Sequence, residues 1–484
     1  MKSNRERTPL LSGRSTRIGV DLIDDYPRVP TLLVAAFLIF IVFRYLEGGQ
    51  RIELLGRLRF EFIVGSALSL IGIALFVRDT KRPPTAPLRW AILLAAWMLI
   101  MVPLSVDVAY SWNIFVDRLL KFMMISIFIA AFVVNPMILR WFLAAYLLAF
   151  AKMVQEGIHG VITGSLIWEN QGVMRLHGPT WSYAHPNSFS GTQLGTLPYL
   201  YQLAPLAPKF LRYAMLGQAF GALIIILYCG SRTAYLGFFA WLTILVARAR
   251  SSFKALAGLI LAAALAIPFI PSEYFARLET IYTQQEIEGA SIDTRKEILT
   301  DAWKIFVEHP LGVGVSAFPI VREKEFGRSQ DTHNLYLEVA TNLGIVGLVL
   351  FLGLVISMLR ALRNLAERIG TQITRMDNIR HGDQADASSR TEASRHSSDL
   401  RAMLAAIQAT SSLLIIRLVL GVFGHDLYEV YWWFILGIVI ALDRMELIAF
   451  GKTSRFEGTT NITLSTARPA TIVAGRGRAA EPSS

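Results

Sequence analysis

The sequence predicts an all-α polytopic membrane protein, and three observations predict it. First, 54% of the 484 residues are hydrophobic and only 17% are charged, whereas a soluble domain is usually nearer a quarter charged. Second, the apolar residues come in blocks of roughly 16 to 21, the length that crosses a bilayer as a helix. Third, basic residues collect in alternate connecting segments, as the positive-inside rule requires. The expected fold is a bundle of about 12 transmembrane helices with one large outer loop.

The predicted spans fall into groups on either side of the large loop. Transmembrane helices 1–9 lie within residues 29–270, at 29–46, 62–77, 90–106, 119–134, 138–154, 189–206, 213–229, 234–247 and 255–270. The tenth lies at 343–359, and the last two lie within 403–450, at 403–423 and from 431 onward. The first span follows a basic segment and is not followed by a small-residue cleavage site. We therefore interpret it as an uncleaved span and not as a secretory signal.

The distribution of basic residues sets the orientation. With the N-terminus inside, most of the 47 Lys and Arg residues lie in cytoplasmic segments, which is the arrangement that the positive-inside rule favours. Residues 1–28, 360–402 and 451–484 are then cytoplasmic, and residues 271–342 form the large outer loop. Because residues 382–398 and the C-terminal tail offer few apolar side chains to bury, we expect the 360–402 loop to be partly disordered and the tail to be disordered.

Composition also excludes several classes of function. The net charge of +11 is explained by the orientation, so no nucleic-acid partner is expected. The single cysteine, Cys229, cannot form an intramolecular disulfide, and no zinc-ligand spacing or glycine-rich nucleotide loop is present. The predicted spans contain almost no Asp or Glu, which disfavours an ion-coupled transporter. The main charges near or inside spans are Arg44, Lys152 and Arg417.

Three side chains on the predicted outer face combine phosphate binding with proton transfer. Arg232 follows the seventh span at the outer lip, and Arg295 and His333 lie in the large loop. Guanidinium groups bind phosphate oxygens in a bidentate manner, and imidazole accepts protons near neutral pH. Thr294 and Glu297 are spaced as a capping box, which predicts a helix starting there. Arg295 would then join the free N–H groups of the first turn as an anion site. This combination indicates chemistry on a lipid-linked phosphate.

Each of these residues also has a purely structural interpretation. Arg232 is placed where an arginine can extend from a helix end to the membrane surface. Arg295 is placed where it can form an ordinary surface pair, and His333 is suited to capping a helix or hydrogen bonding at the interface.

A second outer loop, at 156–188, contains further polar and aromatic residues. Arg175, His185 and Asn187 are candidates for substrate binding. Trp181 and Tyr183 offer faces on which a sugar can stack, although an aromatic belt at the membrane interface explains them equally well.

Several short motifs follow one another in the chain: Arg175, Gly178 and His185-Pro186-Asn187; Gly230-Ser231-Arg232-Thr233-Ala234; His309-Pro310-Leu311-Gly312-Val313-Gly314; Thr332-His333-Asn334-Leu335-Tyr336-Leu337-Glu338; and Gly344-Ile345-Val346-Gly347. Taken alone, the segment 309–314 predicts a turn that ends the preceding helix. In order and spacing, the set resembles the signature of the O-antigen ligase and O-antigen polymerase superfamily.

The resemblance implies a metal-independent glycosyltransferase of the GT-C-like polytopic type, with its active site on the periplasmic side of the bacterial inner membrane. The loop at 271–342 would be periplasmic, and the donor would be an oligosaccharide linked to undecaprenyl diphosphate. Arg232 and Arg295 would hold the diphosphate, and His333 would activate the acceptor hydroxyl. Further expected substrate-binding residues are Arg175, His185, Asn187 and Asn334. No metal or cofactor is expected.

The acceptor distinguishes two activities that these residues would serve equally. A polymerase passes the glycan to another lipid-linked repeat unit, giving exopolysaccharide or O-antigen, and a ligase passes it to a lipid A core sugar. The polar termini and the cytoplasmic segment favour the polymerase. Expected partners are the lipid-linked donor, an acceptor glycan, membrane lipid, and a chain-length regulator or flippase protein. The competing hypotheses are a non-enzymatic transporter of lipid-linked glycans and a scaffold that recruits polysaccharide enzymes.

Overall fold

The computed structural model describes residues 26–78, 85–170, 173–249, 251–254, 256–258, 260, 291–381, 387–424 and 427–466. Its helices are α1 (Thr31–Leu46), α2 (Gly48–Arg51), α3 (Glu53–Arg57), α4 (Phe60–Arg78), α5 (Ala86–Met101), α6 (Val108–Ile114), α7 (Lys121–Phe132), α8 (Pro136–Thr163), α9 (Pro186–Leu203), α10 (Lys209–Tyr228), α11 (Arg232–Arg248), α12 (Ser291–Glu308), α13 (Phe318–Phe326), α14 (Leu335–His381), α15 (Ala387–Gly421) and α16 (Val430–Thr466). A π-helical turn, Phe115–Leu120, joins α6 to α7. Two short strands, β1 (Ile167–Asn170) and β2 (Val173–Leu176), pair antiparallel.

The helices agree with the predicted helical membrane fold. Each predicted span except 255–270 coincides with a described helix, and most of 255–270 lies outside the described residues. Among the described helices, α4, α8, α10, α14 and α15 are long and apolar enough to cross a membrane, and α1 and α5 are shorter apolar helices. The protein is a helical membrane protein, and the number of crossings stays a prediction.

The centre of the bundle is an aromatic core. Phe37 of α1 stacks on Phe132 of α7, with ring centroids 5.1 Å apart. Tyr146 of α8 stacks on Phe434 of α16 at 4.7 Å. Offset and edge-to-face rings bury large apolar areas with defined geometry, so this core fixes the first and last helices of the chain against the middle ones.

Helix α14 is broken at Gly344, whose φ of 67° and ψ of −169° are not helical. A side chain at Gly344 would overlap the backbone of Leu311, and its positive φ is one that glycine adopts without strain. The segment 310–314 lies against this break, and Val313 N donates to Thr341 O at 2.9 Å. The indole Nε1 of Trp97 donates to Leu343 O at 2.8 Å. In a membrane, carbonyl and N–H groups released from a helix need such internal partners.

The turn predicted at His309–Gly314 is therefore present, and it follows the end of α12 at Glu308. The turn also supplies hydrogen-bond partners to the backbone groups that the break in α14 releases, which its sequence did not predict. Ile345 N donates to Pro310 O at 2.9 Å, and Gly314 N donates to Asn342 O at 3.0 Å.

The segment that we expected to be a partly disordered cytoplasmic loop, 360–402, is helical at 360–381 and at 387–402. Residues 382–386 lie outside the described part of the chain. Buried Leu365, Ile369 and Met376 of α14 recur at helical spacing, and Leu400 is buried on α15. Arg401 of α15 binds Asp377 of α14 at 2.7 Å. This apolar stripe is enough to pair two helices even though the average composition is polar.

The C-terminal tail also differs from expectation, because the backbone of α16 stays helical to Thr466. Residues 467–484, which complete the predicted disordered tail, lie outside the described residues.

Candidate active site

Four helix ends meet at one end of the bundle. Gly237, near the start of α11, lies so close to α9 and α15 that a side chain there would meet Leu194 at 2.9 Å and Leu420 at 3.0 Å. Gly421, the last residue of α15, packs against Leu335, the first residue of α14. The starts of α9, α11 and α14 and the end of α15 therefore share one face, and the segments carrying Arg232 and His333 lie there.

Arg232 is the first residue of α11, and its position is fixed by the turn before it. The hydroxyl of Ser231 accepts a hydrogen bond from Ala234 N at 3.3 Å and caps the helix. Gly230 has a φ of 57°, a conformation that glycine tolerates best. The Arg232 side chain is half-buried. A cation at a helix N-terminus, beside free N–H groups, forms a site suited to an anion.

Arg175 lies on β2 and forms a hydrogen bond with the turn that precedes Arg232. Its side chain is buried, with 1% exposed. Nε donates to Cys229 O at 2.8 Å, Nη1 donates to Asn170 Oδ1 at 2.9 Å, and Nη2 donates to Asn187 Oδ1 at 2.8 Å. These bonds join the β-hairpin, the start of α9 and the turn before Arg232. The guanidinium donates to three acceptors of the protein itself, which suits Arg175 to holding these segments together. The direct substrate contact that we expected of it stays a prediction.

His185 and Asn187 form the start of α9. His185 is the N-cap residue, and its Nδ1 accepts from Asn187 N at 3.1 Å. Asn187 Oδ1 is occupied by Arg175. The substrate contacts that we expected of His185 and Asn187 stay a prediction.

Arg295 lies on α12 and is half-buried. The predicted capping box at Thr294 and Glu297 is wrong, because the helix begins at Ser291. Arg295 therefore follows the first turn, and the part of the anion-site argument that used free N–H groups does not hold there. Glu297 instead forms an ion pair with Arg328.

His333 is held in a strained backbone conformation between α13 and α14. Its φ is 48°, which is uncommon for a non-glycine residue and is often found at functional positions. The next residue, Asn334, accepts from Tyr336 N and Leu337 N at 3.0 Å each and thereby caps α14. Asn334 Nδ2 donates to Val422 O at 3.1 Å. The half-buried imidazole is thus placed at the junction of α14 and α15, and Asn334 anchors it by using its own amide.

A buried ion pair and a hydrogen bond, both from Arg322 of α13, connect the helix of Arg295 to the loop that carries His333. Arg322 is fully buried; its Nε donates to Asp301 Oδ2 of α12 at 3.0 Å, and its Nη1 donates to Gln330 Oε1 at 2.6 Å. The apolar face of α12 packs with Leu337 of α14 in a small second core. The segments that carry Arg295 and His333 therefore pack together in one subdomain. Arg175 and Asn187 form a second group, which lies against the turn before Arg232.

Comparison with known families identifies this region. Residues 218–352 match the family described as O-antigen ligase. This chain carries an O-antigen ligase family domain. The match confirms the resemblance that the motifs indicated, and no curated protein matches the chain.

The O-antigen ligase domain contains Arg232, Arg295 and His333, together with the 309–314 turn and the break at Gly344. Arg175, His185 and Asn187 precede it in the sequence. The β-hairpin that carries Arg175 was not predicted, because each of its strands has only four residues and alternates weakly. It reaches the O-antigen ligase domain through the bond to Cys229 O.

Two further charged residues near the site have roles that the sequence did not predict. Glu338 of the O-antigen ligase domain is buried, and its Oε2 accepts from Leu427 N at 3.1 Å. Burial, followed by the nearby Glu338 charge, raises the pKa of Tyr428. Arg417 of α15 is buried, lies 3.2 Å from the ring centroid of Tyr431 and donates to Gly191 O. Cation–π contact and a backbone carbonyl explain how this charge is tolerated close to the helix end.

His177, in the loop before α9, is a buried imidazole. Its Nδ1 is 3.0 Å from Ala184 O, so the hydrogen must lie on Nδ1, and Nε2 has no hydrogen-bond partner among the residues that the structure describes. The ring stacks on Trp168 at 3.6 Å. Burial lowers the pKa of His177, although the bond to Ala184 opposes this shift.

Within the described residues, one group of three side chains has spacing suitable for a metal, formed by Glu308, His309 and Glu325. All three are exposed, and they lie at the end of α12 opposite to Arg295. This cluster does not belong to the candidate site.

Proposed function

We propose that this protein is a glycosyltransferase that moves a glycan from a polyprenyl diphosphate to an acceptor hydroxyl at the periplasmic face of the inner membrane. The observation that carries the proposal is the O-antigen ligase match over residues 218–352, because this range contains all three residues that were selected by their chemistry. The packing of the starts of α11 and α14 at one end of the bundle supports it.

In this proposal Arg232 and Arg295 hold the diphosphate. Breaking the sugar–phosphate bond leaves a polyprenyl diphosphate whose new negative charge has to be stabilised. Two guanidinium groups offer fixed, bidentate donors to phosphate oxygens, the task that a divalent metal performs in many glycosyltransferases. Because Arg232 is the first residue of α11, the positive end of the helix dipole acts on the diphosphate together with the arginine charge. The polyprenyl tail would lie in a groove between helices.

His333 is proposed as the general base. The acceptor hydroxyl attacks the anomeric carbon while the imidazole removes its proton, and the bond to the diphosphate oxygen breaks. A displacement in one step from the opposite face would invert the anomeric centre. The rigid turn formed by Asn334 supports this role, because a general base has to be held within hydrogen-bond reach of the proton that it removes.

We propose a polymerase of lipid-linked repeat units as the first form of this activity, and an O-antigen ligase as the second. The polar termini of the sequence are the reason for placing the polymerase first. The helical pairing of α14 and α15 removes the second reason for it, which was the expected disordered segment. The similarity of residues 218–352 to the O-antigen ligase family supports the ligase as the alternative.

Reconstitution tests the proposal and separates its two forms. Purified protein in liposomes receives undecaprenyl-diphosphate-linked repeat units, without ATP or an ion gradient. A polymerase gives a ladder of longer lipid-linked glycans, whereas a ligase gives product only after lipid A core is added. The matched control is the His333→Ala variant, which should bind donor and form neither product. Absence of product with both acceptors, or movement of intact donor across the bilayer instead, would overturn the proposed transferase.

A further inference from the structure

A cleft of about 1370 Å³ opens between α4, α5, α14 and α16. Its walls are mostly apolar, and its charged lining residues include Arg89, Arg360, Arg368 and Arg444. The candidate active site does not include any of them.

The cleft lies at the end of the bundle away from His333. Trp97 of α5 bonds to Leu343, whereas Trp90 of α5 lies against Gly353, where a side chain would meet its ring at 2.5 Å. Helices α5 and α14 therefore run antiparallel, and the start of α5 lies further along α14 from the active-site end. The ~24 Å of helix between Gly344 and Arg360 is close to the thickness of a hydrocarbon core.

Two of the four arginines already have partners in the protein. Arg368 pairs with Glu446 at 3.2 Å and with Asp443 at 3.6 Å. Arg444 donates to Ala130 O at 3.1 Å and lies 4.5 Å from the ring centroid of Phe76. These contacts fix the cleft's inner wall.

Arg89 and Arg360, unlike the two arginines of the inner wall, are available to a ligand. Both side chains are exposed, and neither forms a hydrogen bond or an ion pair with the described residues. Arg89 lies on the first turn of α5, and Arg360 lies across the cleft on α14. The apolar lining of the cleft includes the side chains of Val77, Ile356 and Leu447. Two guanidinium groups without a partner in the described part of the chain, at the mouth of an apolar cleft, are complementary to an anionic head group attached to acyl chains.

We propose that this cleft binds one anionic phospholipid, with its phosphate between Arg89 and Arg360 and its acyl chains along the apolar wall. In the orientation of the proposed function, the lipid belongs to the cytoplasmic leaflet. A basic pocket between helices at that depth is the kind of site that selects anionic lipid head groups. The bound lipid would join α5 to α14, the helix whose other end carries His333. This site is independent of glycan transfer, so it can be tested without an activity assay.

Native mass spectrometry and thermal unfolding of the purified protein test the proposal. In mixed micelles with phosphatidylglycerol, the wild type should retain one lipid and unfold at a higher temperature, and phosphatidylcholine should do neither. The Arg89→Ala/Arg360→Ala variant should bind phosphatidylglycerol roughly tenfold more weakly, a loss of about 1.4 kcal/mol. The matched control, Arg363→Ala/Arg380→Ala, removes two exposed arginines of α14 outside the cleft lining and should bind as the wild type does.

Each other outcome overturns the proposal. Equal binding of phosphatidylcholine shows that the head-group charge is not recognised. An equal thermal shift with inorganic phosphate or glycerol 3-phosphate shows a simple anion site and not a lipid site. Retained binding in the cleft variant, or an equal loss in the control variant, places the lipid elsewhere. Should the cleft variant fail to fold, the wild type's preference between the two lipids and its response to inorganic phosphate still decide the question.

Discussion

Replacing Arg175 by alanine should loosen the hairpin of β1 and β2 and lower glycan transfer, and we propose that it does so without Arg175 touching donor or acceptor. The Arg175 guanidinium donates to Cys229 O, Asn170 and Asn187. The alanine variant loses these three bonds together. The turn before Arg232 and the start of α9 would then no longer be held against β2.

The size of the effect follows from the burial of the partners. A hydrogen bond from a charged donor contributes about 1.5–3 kcal/mol, and a buried acceptor left without a partner costs about 1–3 kcal/mol. Water can replace the donor at Asn170, which is only half-buried, but it has no access to the turn at Cys229, which is 0% exposed. We therefore expect a local loss of about 3–5 kcal/mol, below the full sum of three bonds. Every 1.4 kcal/mol changes an equilibrium tenfold, so local opening should rise at least ~100-fold.

Hydrogen exchange of the purified protein measures this opening directly. The amides of β1 and β2 should lose at least ~100-fold in protection, and transfer in liposomes should fall in parallel. Arg175→Lys should resemble alanine, because an ammonium group cannot reach all three acceptors. The control Asn170→Ala removes a single bond and should cost about tenfold in protection. Wild-type protection and transfer in Arg175→Ala would refute the positioning role.

Three further predictions concern the site and its surroundings. Arg232→Ala and Arg295→Ala should each insert normally yet lose transfer by at least ~100-fold, and lysine should restore little because the bidentate contact is absent; normal polysaccharide yield from either alanine variant removes that arginine from the site. For His333→Ala we expect donor binding within about twofold of the wild type and transfer reduced by ~100-fold or more; unchanged turnover would assign the proton to another base. The depressed pKa of His177 means that the unfolded chain binds a proton before the folded one does. Its contribution to stability is complete above about pH 6.5 and is lost as the pH falls toward the folded pKa. His177→Gln should flatten the thermal stability between about pH 7 and pH 5, and an unchanged slope would contradict the assignment.

The chemistry of the candidate site was accessible from the sequence, but its supports were not. Arginine and histidine in the predicted outer segments could be proposed for the site because residue type and the charge bias between segments are properties of the sequence pattern. Arg175 and Asn334 each donate a hydrogen bond to a backbone carbonyl that is distant along the chain, Cys229 O and Val422 O respectively. The start of α12 at Ser291 was missed, since Thr294 and Glu297 satisfy a capping pattern that the longer helix overrides.

The sequence by itself determined a helical membrane protein, because hydropathy and charge act over one span at a time. It also determined which side chains can bind phosphate or take a proton. Tertiary structure alone decided where α14 breaks, since the carbonyl of Leu343 is satisfied by Trp97 and Ile345 N by Pro310. It also decided that the polar stretches 360–381 and 387–402 are helical, because an apolar stripe gains its stability only when a second helix covers it. Partners distant in sequence supply these interactions, and no local pattern records them.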